Sequence, residues 1–191
     1  MDAVMNKRQI VLIFSALSLL GWLLYCHEWN SEFHWDDYHL IRSYSDRELT
    51  QVWSGTWDPD HVETAGYRPL TTYFNHFRYE LFEENVHAHR LLLVLLNSLM
   101  LVVLLLLMHN VGLSWPVGLL TGLLCIVSPT NFYHIAWLSD GVHLFATLLG
   151  LLGILFALEA ARTGRFNSYL PLSHFFGFCH RGPKSGIRLP I

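Results

Sequence analysis

LLLVLLNSLMLVVLLLLM, Leu91–Met108, contains no charged residue. At about 1.5 Å rise per helical residue it spans roughly 27 Å, close to the hydrocarbon thickness of a bilayer. The run therefore reads as a membrane-spanning helix. Asn97 and Ser98 inside it are placed to hydrogen-bond another helix. The rest of the chain repeats the pattern. Of 191 residues, 52% are hydrophobic and only 14% charged, against about 25% charged in a typical soluble domain. The apolar residues are gathered into runs, so the expected spans are 10–26, 91–108, 115–134 and 141–161. The fold class is all-α: a polytopic transmembrane helical bundle of about four to five spans.

Charge sets the expected orientation. Lys7 and Arg8 precede the first span and Arg162 and Arg165 follow the fourth, so both ends read as cytoplasmic. No small-residue cleavage site follows the first span, where His27-Glu28-Trp29 comes next, and it reads as an uncleaved anchor. The loop 27–90 then lies outside. Between Cys26 and Arg90 fall twelve of the fifteen acidic residues and five of the twelve basic ones. A net charge of −3 gives no reason to expect nucleic acid. Cys26 and Cys125 sit in apolar runs and read as buried thiols, and no pair among the three cysteines has metal-ligand spacing.

A loop this long needs structure of its own. Ser45-Asp46-Arg47-Glu48 has capping-box spacing, predicting a short helix from Asp46. Gly55 to Asp60 reads as a turn. Pro69 suits the first position of a helix, on which Leu70, Tyr73, Phe74, Phe77 and Leu81 recur along one side. That aromatic stripe predicts an interfacial helix in the headgroup plane, or alternatively one packed on a small outer subdomain. Gly118 and Gly122 are spaced for close helix packing, and Ser128-Pro129 breaks the third apolar run. Residues 1–165 read as the membrane region. Tyr169 to Cys179 is apolar but short for a span, and 166–191 reads as an atypical, truncated or frameshifted tail.

The chemical handle is Phe33-His34-Trp35-Asp36-Asp37-Tyr38-His39, just after the first span. A carboxylate can take a proton from an acceptor hydroxyl, and Arg68, Arg78 or Arg90 can hold a departing phosphate. Neighbouring residues of a helix or strand point in different directions, so only one aspartate faces an acceptor. A bare Asp-Asp pair is most often a solvated turn. His34, Asp36, Asp37 and His39 also have the residue types of a metal cluster, although interfacial histidines are the commoner reason for such a run, and no metal ligand is assigned. A divalent cation assisting phosphate departure is the one cofactor the chemistry leaves open. Asp140, with His134 and His143 nearby, is a second handle at the end of the third span.

The order of these motifs resembles a known family. Phe33 to Tyr38 reads Phe-x-Trp-Asp-Asp-Tyr. Tyr67-Arg68-Pro69-Leu70 leads an aromatic helix, Asn85 to Arg90 starts a span, and Pro129 to Ser139 ends in Ala-Trp-Leu-Ser. Over roughly residues 8 to 165 the chain is similar to the N-terminal part of GT-C polytopic glycosyltransferases. The branch is the one of protein O-mannosyltransferases, including those that carry tetratricopeptide repeats. The resemblance implies transfer of mannose or another hexose, with inversion, from a polyprenyl- or dolichyl-phosphate donor to a protein, glycan or lipid hydroxyl. It implies an outward-facing site in a bacterial inner membrane or the endoplasmic reticulum. It makes Asp36 the key acidic residue, with Asp37 beside it to support it or bind a cation, and its Tyr-Arg-Pro segment maps to Tyr67, Arg68 and Pro69. By their charge and place in the loop Arg68 and Arg90, with Tyr67, are the residues expected to bind substrate. One departure falls after Trp137-Leu138-Ser139: relatives often continue Gly-Arg-x-Asp, whereas this chain has Asp140-Gly141-Val142-His143. A Ser-Lys-Glu helix typical of relatives also lacks its Glu here. These departures keep a second reading open, a non-catalytic membrane scaffold or assembly partner.

Overall fold

A computed structural model describes residues 6–55 and 67–164. The expected turn from Thr56 onwards, Cys179 and the tail 166–191 lie outside the described residues. Eight helices follow in order: α1 Lys7–Tyr25, α2 Trp35–Leu40, α3 Asp46–Gln51, α4 Pro69–Phe82, α5 Val86–Asn110, α6 Trp115–Ile126, α7 Pro129–Ala136 and α8 Val142–Thr163. A 3-10 turn, Ser139–Gly141, joins the last two. The described residues are 80% helical with no strand.

Among the described residues, three helical segments are long and apolar enough to cross a membrane: Lys7–Glu28, Val86–Asn110 and Ser139–Thr163. The third expected span, 115–134, is two helices, α6 and α7, bent by 57° and making a fourth crossing only if the pair is taken as one. The bend sits at Ser128-Pro129, because a proline ring lacks the N–H that would continue the ladder of α6. The span expected at 91–108 is longer, since Asn85 caps α5 by accepting the Ala88 N–H at 3.1 Å and the polar turns at both ends stay helical.

The core is built on α5, which packs against α1, α6 and α8 through Leu93, Val94, Leu101, Val102 and Leu105. Val11 and Leu12 of α1, Leu120 and Leu124 of α6 and Ile154 of α8 are exposed. An apolar outer surface of that extent suits lipid, not water. A Cβ on Gly118 would lie 3.0 Å from Leu105, so the small residue does permit α6 to close on α5. Two polar expectations fail. Ser98 donates to Val94 O of its own helix at 2.8 Å, satisfying itself in its own turn. Asn97 is fully buried and its side chain has no hydrogen-bond partner among the described residues. Cys26 is exposed and Cys125 half-buried, because these apolar helices turn one side outward instead of enclosing every apolar residue.

The contacts sort the molecule into two ends. Gly21 late in α1 faces Val94 early in α5, so these helices run antiparallel. Arg162 at the end of α8 donates to the side-chain and backbone oxygens of Asn110 at the end of α5, so these two run parallel. Lys7, Arg8 and Arg162 therefore share one end. The polar loop helices, the α6–α7 break and the 3-10 turn gather at the other. There Ser45 caps α3 as expected: its Oγ accepts the Glu48 N–H at 3.4 Å, and its own N–H donates to Glu48 Oε2 at 2.7 Å.

Helix α4 starts at Pro69 as expected, and its aromatic stripe is divided: Phe74 is buried in the core, stacked on Phe145, and the Tyr73 hydroxyl donates to Leu49 O of α3 at 3.0 Å. Tyr73, Phe77 and Leu81 are exposed, while Thr72, Asn75 and Arg78 are buried. The inward side is polar because it meets backbone carbonyls and a buried carboxylate, described next.

Candidate active site

The site starts from the way α2 begins. Asp37 falls at its third position and its Oδ2 accepts the N–H of His34 at 2.9 Å, which satisfies a free donor at the helix start. Its other oxygen, Oδ1, accepts the N–H of Ser139 at 2.6 Å, 102 residues away. Both oxygens are thus committed to backbone, and Asp37 is fully buried. Asp36 lies about 100° round the helix and lines a cavity of about 170 Å³ together with Arg68, Trp137, Ser139, Asp140 and His143.

Arg78 of α4 reaches the turn that carries Ser139. Its Nη1 donates to Leu138 O at 3.0 Å and its Nη2 to Asn75 Oδ1 at 2.8 Å, with the guanidinium 4.8 Å from the centre of the Phe74 ring. Burial pushes Arg78 down to about 9, and the charge of Asp37 opposes that shift, so the side chain stays cationic at neutral pH. Asp37 and Arg78 therefore grip the same turn from two sides, one through Ser139 and the other through Leu138. Gly141 completes it: a Cβ there would lie 2.4 Å from Leu93 Cδ2, so the turn seats against α5 only without a side chain.

That turn presents Asp140. Its Oδ2 is 2.6 Å from His134 Nδ1 of α7, and its Oδ1 is 3.3 Å from His143 Nε2 at the start of α8. The two imidazoles are 5.6 Å apart. A second cavity of about 300 Å³ adjoins the first and is lined by Tyr67, Pro69, Leu70 and Ala146. Arg68, Thr71, Val142 and His143 line both.

The predicted residues separate accordingly. Asp36 and Arg68 meet in one cavity and Tyr67 borders the next, its hydroxyl donating to Trp53 O at 3.2 Å. Asp37 is the pin beneath them. Arg90 is buried elsewhere, its Nη1 donating to Trp29 O at 3.0 Å and to Ser31 O at 2.6 Å, where it fastens the chain leaving α1 to the start of α5. Among the described residues no three His, Cys, Asp or Glu side chains converge to hold a metal ion. The sequence marked the 134–140–143 cluster but carried no sign that it shares a cavity with Asp36, since the two stretches lie about a hundred residues apart. No family model, curated protein or solved structure matches this chain.

Proposed function

We propose that this chain is a GT-C-type membrane glycosyltransferase, or a portion of one. It transfers a sugar from a polyprenyl-phosphate donor to a hydroxyl acceptor on the outer side of the membrane. The observation that carries the reading is the cavity that holds Asp36, Arg68, Asp140 and His143 beside a second cavity bordered by Tyr67, Pro69, Leu70 and Ala146. Asp36 takes the acceptor O–H proton. The acceptor oxygen attacks the anomeric carbon on the face opposite the phosphate, giving inversion. The bond from that carbon to the phosphate oxygen breaks and its electron pair leaves with the lipid phosphate. Arg68 offsets the negative charge that gathers there, and the second cavity takes the first apolar units of the lipid. Asp37 holds Asp36 in place through α2. Lys7, Arg8 and Arg162 at the opposite end favour that end as cytoplasmic, which puts the cavity outside.

The test is sugar transfer in membranes supplied with polyprenyl-phosphate sugars, comparing the chain with Asp36→Asn. Removing a general base costs on the order of a hundredfold or more, with membrane insertion unchanged. Undiminished transfer by Asp36→Asn would sink the assignment and leave the scaffold reading.

A further inference from the structure

Ile126 ends α6, and the 57° bend into α7 takes its carbonyl away from Thr130, whose N–H it would accept in a continuous helix. A buried carbonyl without a donor is costly, and more so in a membrane, where no water replaces the lost bond. Tyr25, the last residue of α1, supplies the donor: its hydroxyl donates to Ile126 O. The same phenol oxygen accepts the Asn131 Nδ2–H at 2.9 Å, from the first turn of α7. One side chain therefore bridges the break, and Tyr25, Ile126 and Asn131 are all buried. Phe132 adds a flank, its ring 6.1 Å from that of Tyr25 and stacked on His27 at 5.6 Å.

What α7 leads into gives the bridge its consequence. Trp137, Ser139 and Asp140 follow α7 directly and line the first cavity together with Asp36 and Arg68. His134, three residues after Asn131, meets Asp140 through Nδ1 and Oδ2 at 2.6 Å. The far end of this segment is held by Arg78 at Leu138 O and by Asp37 at the Ser139 N–H. Its near end is held by Tyr25. The second cavity takes no lining from the segment, being built from residues 67–71 and 142–146. We propose that Tyr25 is a positioning residue for the first cavity: it fixes α7 across the break and so sets where Trp137, Ser139 and Asp140 stand relative to Asp36. The inference rests on the sugar-transfer reading above for its effect on rate, whereas the placement of α7 is tested without substrate.

The experiment uses the full chain in nanodiscs, in a cysteine-free background with spin labels at Tyr133→Cys of α7 and Ile154→Cys of α8, both exposed positions. Tyr25→Phe keeps the ring and removes the hydroxyl that makes both bonds. The distance between the two labels is expected to shift or broaden in that variant. Asn131→Ala removes one of the two bonds and gives a smaller change. Tyr25→Phe with Asn131→Ala changes no more than Tyr25→Phe alone, because both bonds run through one oxygen. In the transfer assay Tyr25→Phe lowers kcat, by up to about a hundredfold for a small misplacement. The donor KM stays as in the wild type, since the second cavity is built without α7. A wild-type label distance in Tyr25→Phe overturns the proposal. So does an unchanged kcat, or a loss confined to KM. Absence of transfer by the wild type sinks the function proposed above, and the label distance then decides the placement of α7 by itself. Full transfer by Asp36→Asn removes Asp36 as base and leaves a shifted distance in Tyr25→Phe standing.

Discussion

Asp37 accepts the amide hydrogens of His34 and Ser139 and lies near Arg78, while Asp36, one residue earlier, faces the cavity. The adjacent carboxylates therefore have separate tasks, one structural and one chemical. Arg78→Met strips Leu138 O and Asn75 Oδ1 of their buried donor and removes the positive charge nearest the buried Asp37; it should cost about 1–3 kcal/mol, read as a lower melting temperature in detergent. Asp37→Asn combined with Arg78→Met removes both charges and should recover part of that loss. Wild-type melting by Arg78→Met alone would show that the pair does not hold the turn. Helical spacing was enough to say that Asp36 and Asp37 diverge. Which of them turns inward depends on Ser139, and nothing near residue 36 announces that partner.

Helix α4 shows how a correct element can carry a misleading face. Pro69 and the aromatic spacing predicted the helix and its start. Periodicity alone left open whether the aromatic stripe packs on protein or meets the headgroups, and the stripe divides: Phe77 and Leu81 are exposed, Tyr73 packs against α3, and Phe74 stacks on Phe145 in the core. In a chain beside lipid, the apolar side of a helix has two apolar environments to choose from. The buried Arg78 and Asn75 decide between them, because carbonyls and a carboxylate inside the protein need those donors. The 3-10 turn is similarly exacting. Gly141→Ala forces a Cβ against the fully buried Leu93 and should destabilise the protein by about 1–3 kcal/mol. It should also lower transfer by moving Asp140 and Ser139. Gly141→Ala with Leu93→Ala makes room and should restore part of the activity. Equal activity of wild type and Gly141→Ala would mean that the turn has slack its packing does not suggest.

For the whole molecule, parallel α5 and α8 and antiparallel α1 place the chain's polar loop helices opposite Lys7, Arg8 and Arg162. A cysteine-free background with Gln9→Cys or Glu80→Cys tests the arrangement. An impermeant maleimide should label Glu80→Cys from outside and Gln9→Cys only after permeabilisation. Labelling of both from one side would show that α1 does not cross. The reverse pattern would put the cavity in the cytoplasm, away from an outward-facing donor.

The positions of the long apolar helices, the Ser45 cap, the helix start at Pro69 and the break at Pro129 were legible from residue order, since each depends on neighbours within a turn or two of helix. So was the set of chemical candidates, Asp36, Asp37, Arg68, Asp140 and the two histidines beside it. Folding alone decided that Asp36 and His143 share a cavity, that Asp37 and Arg90 are interior anchors, and that the polar side of α4 is the buried one. Those outcomes follow from buried charges and amides finding partners 60 to 102 residues away. Pairing of that kind leaves no periodic trace in the sequence, because it is set by which helices pack together and not by the spacing along any one of them.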